Sequence, residues 1–144
     1  MMQDTSYGII PIVREGNEYK VLVLLHQNGL FWGFPKGHRE EGEEPIDTAI
    51  RELYEETQLK VINLIDKDPL VERYTFYKQG IQVHKKVLFF LAFVEGKVEI
   101  DGVEIKDYRL CKIEAAKQLL TYREAKDLMD QIVNNKSLAS LLDI

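Results

Sequence analysis

Glu52, Glu55 and Glu56 stand at i, i+3 and i+4 of a segment whose apolar residues recur at helical spacing, so a helix there brings three carboxylates to one side. Like charges at that spacing destabilise an isolated helix by roughly 0.2–0.5 kcal/mol per pair, a cost that a bound cation removes. Hard carboxylate oxygens suit Mg²⁺ or Mn²⁺, which keep several waters and bridge to substrate phosphates. The alternative is a solvated face in which Arg51 pairs with Glu55 and Lys60 with Glu56. Upstream, Trp32-Gly33-Phe34-Pro35-Lys36-Gly37-His38 places glycines where backbone must approach something closely, with Lys36 and His38 suited to phosphate oxygens. A rigid turn anchored by Trp32 and Phe34 is compatible with that role.

The elements that must position these groups follow from patterning. Tyr7–Val13 and Tyr19–His26 read as strands joined by a tight turn at Gly16-Asn17, and Pro11 places the first near an edge or a bulge. Residues 27–44 hold Gly29, Gly33, Gly37, Gly42 and Pro35, with only Phe31–Phe34 expected to be briefly extended. Pro45 suits the first turn of a helix whose packing stripe is Ile46, Ala49, Ile50, Leu53 and Thr57, with the carboxylates well away from it. Val61–Ile65, Val71–Tyr77 and Val83–Val94 read as a meander of strands, and Tyr108–Ile113 as another. Glu114–Leu120, Arg123–Asn134 and Leu138–Leu142 carry helical patterning. The order predicts an α/β (α+β) fold, a mixed sheet covered by helices, with residues 1–144 forming one domain.

Composition narrows the function. No stretch approaches the roughly 20 apolar residues that span a bilayer, which sets aside a membrane-embedded chain. Residues 1–5 lack the pattern of an export signal, so the expected compartment is the cytoplasm. Cys111 is the one cysteine, expected as a buried, inert thiol. A net charge of −5 argues against long nucleic acids as the main ligand and leaves short anions, handled through a metal.

Gly37, Glu43 and Arg51-Glu52-Leu53-Tyr54-Glu55-Glu56 resemble the signature of the Nudix hydrolases: glycine, five residues, glutamate, seven residues, then Arg-Glu-aliphatic-any-Glu-Glu-any-Gly-aliphatic. The resemblance implies an αβα sandwich and a Mg²⁺-dependent attack of water on a phosphoanhydride, with Mn²⁺ able to substitute. It implies that Glu52, Glu55, Glu56 and the Gly37 carbonyl bind metal, while Glu43 and Arg51 hold loop and helix together. Gln58 stands where the pattern has glycine, and a local adjustment of the helix exit is expected there.

The wider context, with Lys85-Lys86-Val87-Leu88-Phe89-Phe90-Leu91-Ala92 and Glu104, is similar to the asymmetrical diadenosine tetraphosphate hydrolase branch. That resemblance implies cleavage to ATP plus AMP, with Glu55 or Glu104 taking the proton. Lys36, His38 and Lys85 are the candidates for neutralising the polyphosphate. Tyr77, or Tyr74 if the hairpin register differs, and Tyr122 are the candidates for stacking on adenine. The rivals are an RNA 5′-end pyrophosphohydrolase, which a basic surface leading away from the pocket would favour, and a nucleotide-binding module without turnover. A small nucleotide is the expected partner, with no membrane and no long nucleic acid.

Overall fold

The computed structural model describes residues 1–144. Eight strands form one mixed sheet: β1 (Met2–Glu15), β2 (Glu18–His26), β3 (Phe31–Gly33), β4 (Lys36–Gly37), β5 (Lys60–Leu64), β6 (Leu70–Lys78), β7 (Ile81–Glu95) and β8 (Ile105–Lys112). Helix α1 (Pro45–Thr57) follows β4; a 3₁₀ turn (Ile113–Ala115), α2 (Ala116–Leu119), α3 (Arg123–Asn134) and α4 (Lys136–Leu141) follow β8. β1 and β7 run parallel at the centre, β2 lies antiparallel to β1, and β3 and β8 pair with β2.

Strand alternation divides the core into two layers. Ile10, Ile12, Val21, Val23, Val87, Phe89 and Leu91 face the C-terminal helices, meeting Ala116, Leu120, Leu128, Met129 and Ile132. Ile9, Leu22, Leu24, Phe90, Ala92 and Val94 face α1, meeting Ala49 and Leu53. The sheet therefore lies between helices, the expected αβα sandwich, and full burial of a residue such as Leu53 contributes about 1.5–3 kcal/mol.

Several expectations need correction. β1 is central rather than an edge. Pro11 fits because β1 changes partner beside it: Tyr7 and Gly8 pair with β4, and Ile12–Glu15 pair with β2. The Ile9 amide donates to Pro35 on that same side at 3.2 Å, so alternation aims the proline nitrogen into the gap between partners. The middle strands are no meander, since β5 and β6 both pair with β7. β4 carries no hydrophobic pattern and reads as loop. Ile50 turns outward at 37% exposure, and Cys111 is half-buried, with burial raising its thiol pKa. Gln58 is not adjusted away: it takes the left-handed conformation (φ 67°, ψ 8°), its amide donating to the Tyr54 carbonyl at 2.8 Å.

Candidate metal centre and nucleotide cavity

α1 begins at Pro45, with the Glu44 amide donating to the Asp47 carboxylate at 3.0 Å, and it lies across β1 and β4. Arg51 is the clasp between this helix and the preceding loop. Its Nε donates to Glu43 Oε2 at 2.7 Å and its Nη2 to the His38 carbonyl at 2.8 Å and to Glu43 Oε1 at 3.1 Å. Its Nη1 reaches Glu52 Oε1 at 2.9 Å and Glu55 Oε1 at 3.2 Å. Glu43 also accepts from the Glu40 amide and the Thr48 hydroxyl. Arg51 and these donors hold the Glu43 carboxyl at about 2, far below the usual range. Arg51 thus pairs with Glu55 as the solvated-face reading anticipated, but it gathers Glu43 and Glu52 too. The other pair of that reading, Lys60 with Glu56, does not form.

Glu56 points inward, contrary to the expectation that all three carboxylates lie away from the apolar stripe. It is 2% exposed, and its Oε2 has no hydrogen-bond partner. Burial pushes its pKa up to about 9, and the charges of Glu52 and Glu104 add to the rise. Burial also raises Glu52, against the pull of Arg51. Gly37 sits against this group: a Cβ built there would lie 2.0 Å from the Glu52 carboxyl carbon, so only glycine lets loop and helix approach this closely. In this arrangement no three side chains converge as metal ligands do, because Arg51 draws Glu52 and Glu55 to itself. The donor set nevertheless fits a divalent cation: an orphaned buried oxygen, hard carboxylate donors, and like charges that burial leaves uncompensated. Glu104, exposed and with its backbone tied to Gln27 and Asp101, is close enough for its charge to act on Glu56.

Beside this centre, on the sheet face turned to α3, lies a cavity of about 560 Å³, within the range of small-ligand pockets. Phe31, Trp32, Phe34, Tyr74, Phe76, Phe89 and Tyr122 give it an aromatic wall; its charged residues are Glu72, which is buried, and Lys36 and Glu124, which are half-buried. Tyr122, at the start of α3, stands 5.4 Å from Phe31 between ring centroids. The register Tyr74↔Lys85 and Tyr77↔Gln82 settles which hairpin tyrosine faces the cavity. Tyr74 lines it; Tyr77 is on the opposite face, 70% exposed, against Gln82.

Lys36 projects from β4 to this wall, 5.9 Å from the Phe31 centroid. Burial lowers its pKa and Lys85 adds to the effect, while Glu72 and Glu56 oppose it, so Lys36 lies between the cavity and the carboxylate centre. Lys85 is not solvated. It is buried, and its ammonium donates to Asp4 Oδ2 at 2.8 Å and to Ser6 Oγ at 2.6 Å. His38 is exposed, its Nε2 2.9 Å from Asp4 Oδ1. Burial works against ionisation of Asp4, but Lys85 and His38 hold its carboxyl below the usual range.

The sequence missed Glu72, His26, Asp4 and Ser6. Glu72 had a signal, being the one charged residue among Leu70, Tyr74 and Phe76 on its face; burial pushes it to about 7. His26 stacks on Phe31 at 4.5 Å, and burial with the charge of Lys36 lowers it to about 4, so it is neutral. Asp4 and Ser6 had none, since they meet Lys85 only when β1 pairs with β7.

A NUDIX domain model matches residues 2–132. The chain belongs to the NUDIX family. Among Nudix relatives, the asymmetrical bis(5′-nucleosyl)-tetraphosphatase of Mus musculus is 30% identical over 120 residues, covering 81% of this chain and 80% of that protein. The RNA pyrophosphohydrolase of Bartonella bacilliformis is 42% identical over 64 residues, covering 40% of this chain and 38% of that one. The match thus spans less than half of that enzyme's length. A crystal structure of a C. elegans Ap4A hydrolase binary complex superimposes with a TM-score of 0.69 at 22% identity, covering 98% of this chain and 99% of that one, which shows the Nudix fold.

Proposed function

We propose that this Nudix hydrolase cleaves dinucleoside polyphosphates, taking diadenosine tetraphosphate to ATP plus AMP with Mg²⁺ at the α1 carboxylates. The single observation that carries the reading is the juxtaposition of an aromatic cavity sized for a nucleoside with a buried, uncompensated glutamate, joined by Lys36. The tetraphosphatase relatives, which align over most of both chains, favour this substrate.

In this reading Tyr122 and Tyr74 hold the base by stacking, worth about 1–3 kcal/mol per base. Lys36 and His38 meet phosphate oxygens, while Lys85, whose charge is taken up by Asp4, holds that carboxylate beside His38 instead of meeting substrate. Glu52, Glu55, Glu56 and the Gly37 carbonyl would hold the metal, which when bound activates water and offsets charge on the phosphates. Glu55 or Glu104 takes the proton from the attacking water. Arg51 and Glu43 are positioning residues for the glutamates.

The second reading, an RNA 5′-end pyrophosphohydrolase, is favoured by one observation, a basic depression that adjoins the cavity. Parallel kcat/KM measurements on diadenosine tetraphosphate and a 5′-triphosphorylated oligoribonucleotide decide between them. A preference for the dinucleotide is expected; turnover of the RNA alone overturns the proposal.

A further inference from the structure

β6 and β7 carry a second depression, of about 430 Å³, next to the cavity. Its charged lining is all basic: Arg73, His84, Lys85 and Lys86, with no carboxylate. By strand alternation Arg73, Thr75, His84 and Lys86 lie on the α1 side of the sheet, opposite the side on which Tyr74 lines the cavity and Lys85 is buried against Asp4 and Ser6. Arg73 and Lys86 are direct partners across the ladder. Like charges so placed destabilise a strand pair, unlike the opposite charges that sheets commonly set there. Of the cations lining the depression only Lys85 is in an ion pair, with Asp4; the other ion pairs of the chain lie elsewhere, at Lys20–Glu15, His38–Asp4, Arg109–Asp107, Lys117–Asp130 and around Arg51. Lys85 is thus spoken for, whereas Arg73 and Lys86 are free. His84 Nδ1 sits 3.3 Å from the Thr75 hydroxyl, leaving its other ring nitrogen to a further partner.

A chain of net charge −5 therefore concentrates unneutralised cations in one concave place. That place shares Tyr74 and Thr75 with the cavity as a common wall. β6 pairs only with β7, so its other edge is free, and an extended anion leaving the cavity can pass over it at Thr75.

We propose that this depression is a second phosphate-binding site, which takes phosphates of a substrate that extends past the cavity. The shared chemistry is the phosphate oxyanion, met by guanidinium, ammonium and imidazole. It comes either from the distal part of a dinucleoside polyphosphate or from the backbone of an RNA whose 5′ end occupies the cavity. Its role toward a substrate rests on the proposed function above; the anion site itself does not.

The direct test is an amide-resolved NMR titration of the metal-free protein, in chelator, with inorganic tripolyphosphate. Saturable shifts at Arg73, Thr75, His84 and Lys86 are expected, and a combined Arg73→Gln, Lys86→Gln variant should weaken them about tenfold or more. Shifts confined to the Lys36–His38 loop, or none that saturate, overturn the site. Because the substitutions remove opposed like charges, the variant should melt no lower than its parent. KM then separates the sources: a rise for diadenosine tetraphosphate assigns the distal phosphates, and a rise for triphosphorylated RNA alone assigns the backbone. An unchanged KM for both overturns the substrate role. If the parent turns over neither substrate, the proposed function fails, while the titration still decides the anion site.

Discussion

Glu56→Gln tests whether the buried carboxyl is a cation site kept ready at a cost to stability. In the folded chain Glu56 titrates at about 9, against an ordinary value of 4.5. Between those values the folded state keeps a proton that the unfolded chain has released, so stability falls as pH rises. The folded-state advantage is complete below about pH 4.5 and is lost as pH climbs toward about 9. At about pH 7.5 the span is three units, which at about 1.36 kcal/mol per unit sets a ceiling of about 4 kcal/mol on the destabilisation. The amide has no charge to bury and recovers that amount, so the metal-free melting temperature should rise by up to about 10 °C. At about pH 5 the gain should nearly vanish. The assay is calorimetry in chelator at both pH values, repeated with Mg²⁺, which should raise the melting temperature of the parent and not of the variant. A variant that melts lower than its parent at about pH 7.5, or a difference that ignores pH, would show that the Glu56 carboxyl is not held at a cost to stability.

Arg51→Ala should lower the melting temperature by several degrees, consistent with the roughly 2 kcal/mol typical of a broken charge network. It should also reduce kcat strongly, since Glu52 and Glu55 lose their common anchor; an unaltered kcat would separate the clasp from catalysis. Gly37→Ala has no room for its methyl against Glu52, so turnover should fall by at least about tenfold, as expected of a displaced catalytic group, while steady-state rates equal to the parent's would contradict the contact. Tyr122→Ala should raise KM for a dinucleotide by roughly 5- to 150-fold, and Tyr77→Ala should leave it unchanged. The opposite pattern would return the hairpin tyrosine to the site. Gln58→Gly should raise the melting temperature by about 3 °C, because a left-handed residue with a Cβ costs about 1 kcal/mol.

The sandwich was legible because β2 and β7 carry unbroken apolar runs, Val21–Leu25 and Val87–Val94, as strands buried on both faces require, and because Ala49, Leu53 and Thr57 recur at helical spacing in α1. The carboxylate centre was legible for the same reason, since spacing fixes angles around a helix. Depth was masked by charge. Glu56, at i+7 from Ala49 and i+3 from Leu53, borders the packing stripe while Glu55 lies round the helix from it, but three like carboxylates suggested one solvated patch. Hairpin register was open because it depends on the two-residue turn at Gln79 and Gly80, both at positive φ (53° and 77°), which sets Tyr74 opposite Lys85. Asp4 and Lys85 are 81 residues apart, and only the parallel pairing of β1 with β7 brings them together. β4 is two residues long, too short for any periodic signal, yet it aims Lys36 at the cavity and Gly37 at Glu52.

Metal-dependent cleavage of a dinucleoside polyphosphate is tested most directly by anion-exchange analysis of diadenosine tetraphosphate after incubation with the purified protein, with and without Mg²⁺. ATP and AMP in equal amounts, formed only with the metal, is the predicted result. Two molecules of ADP as product, or turnover that persists in chelator, would contradict it.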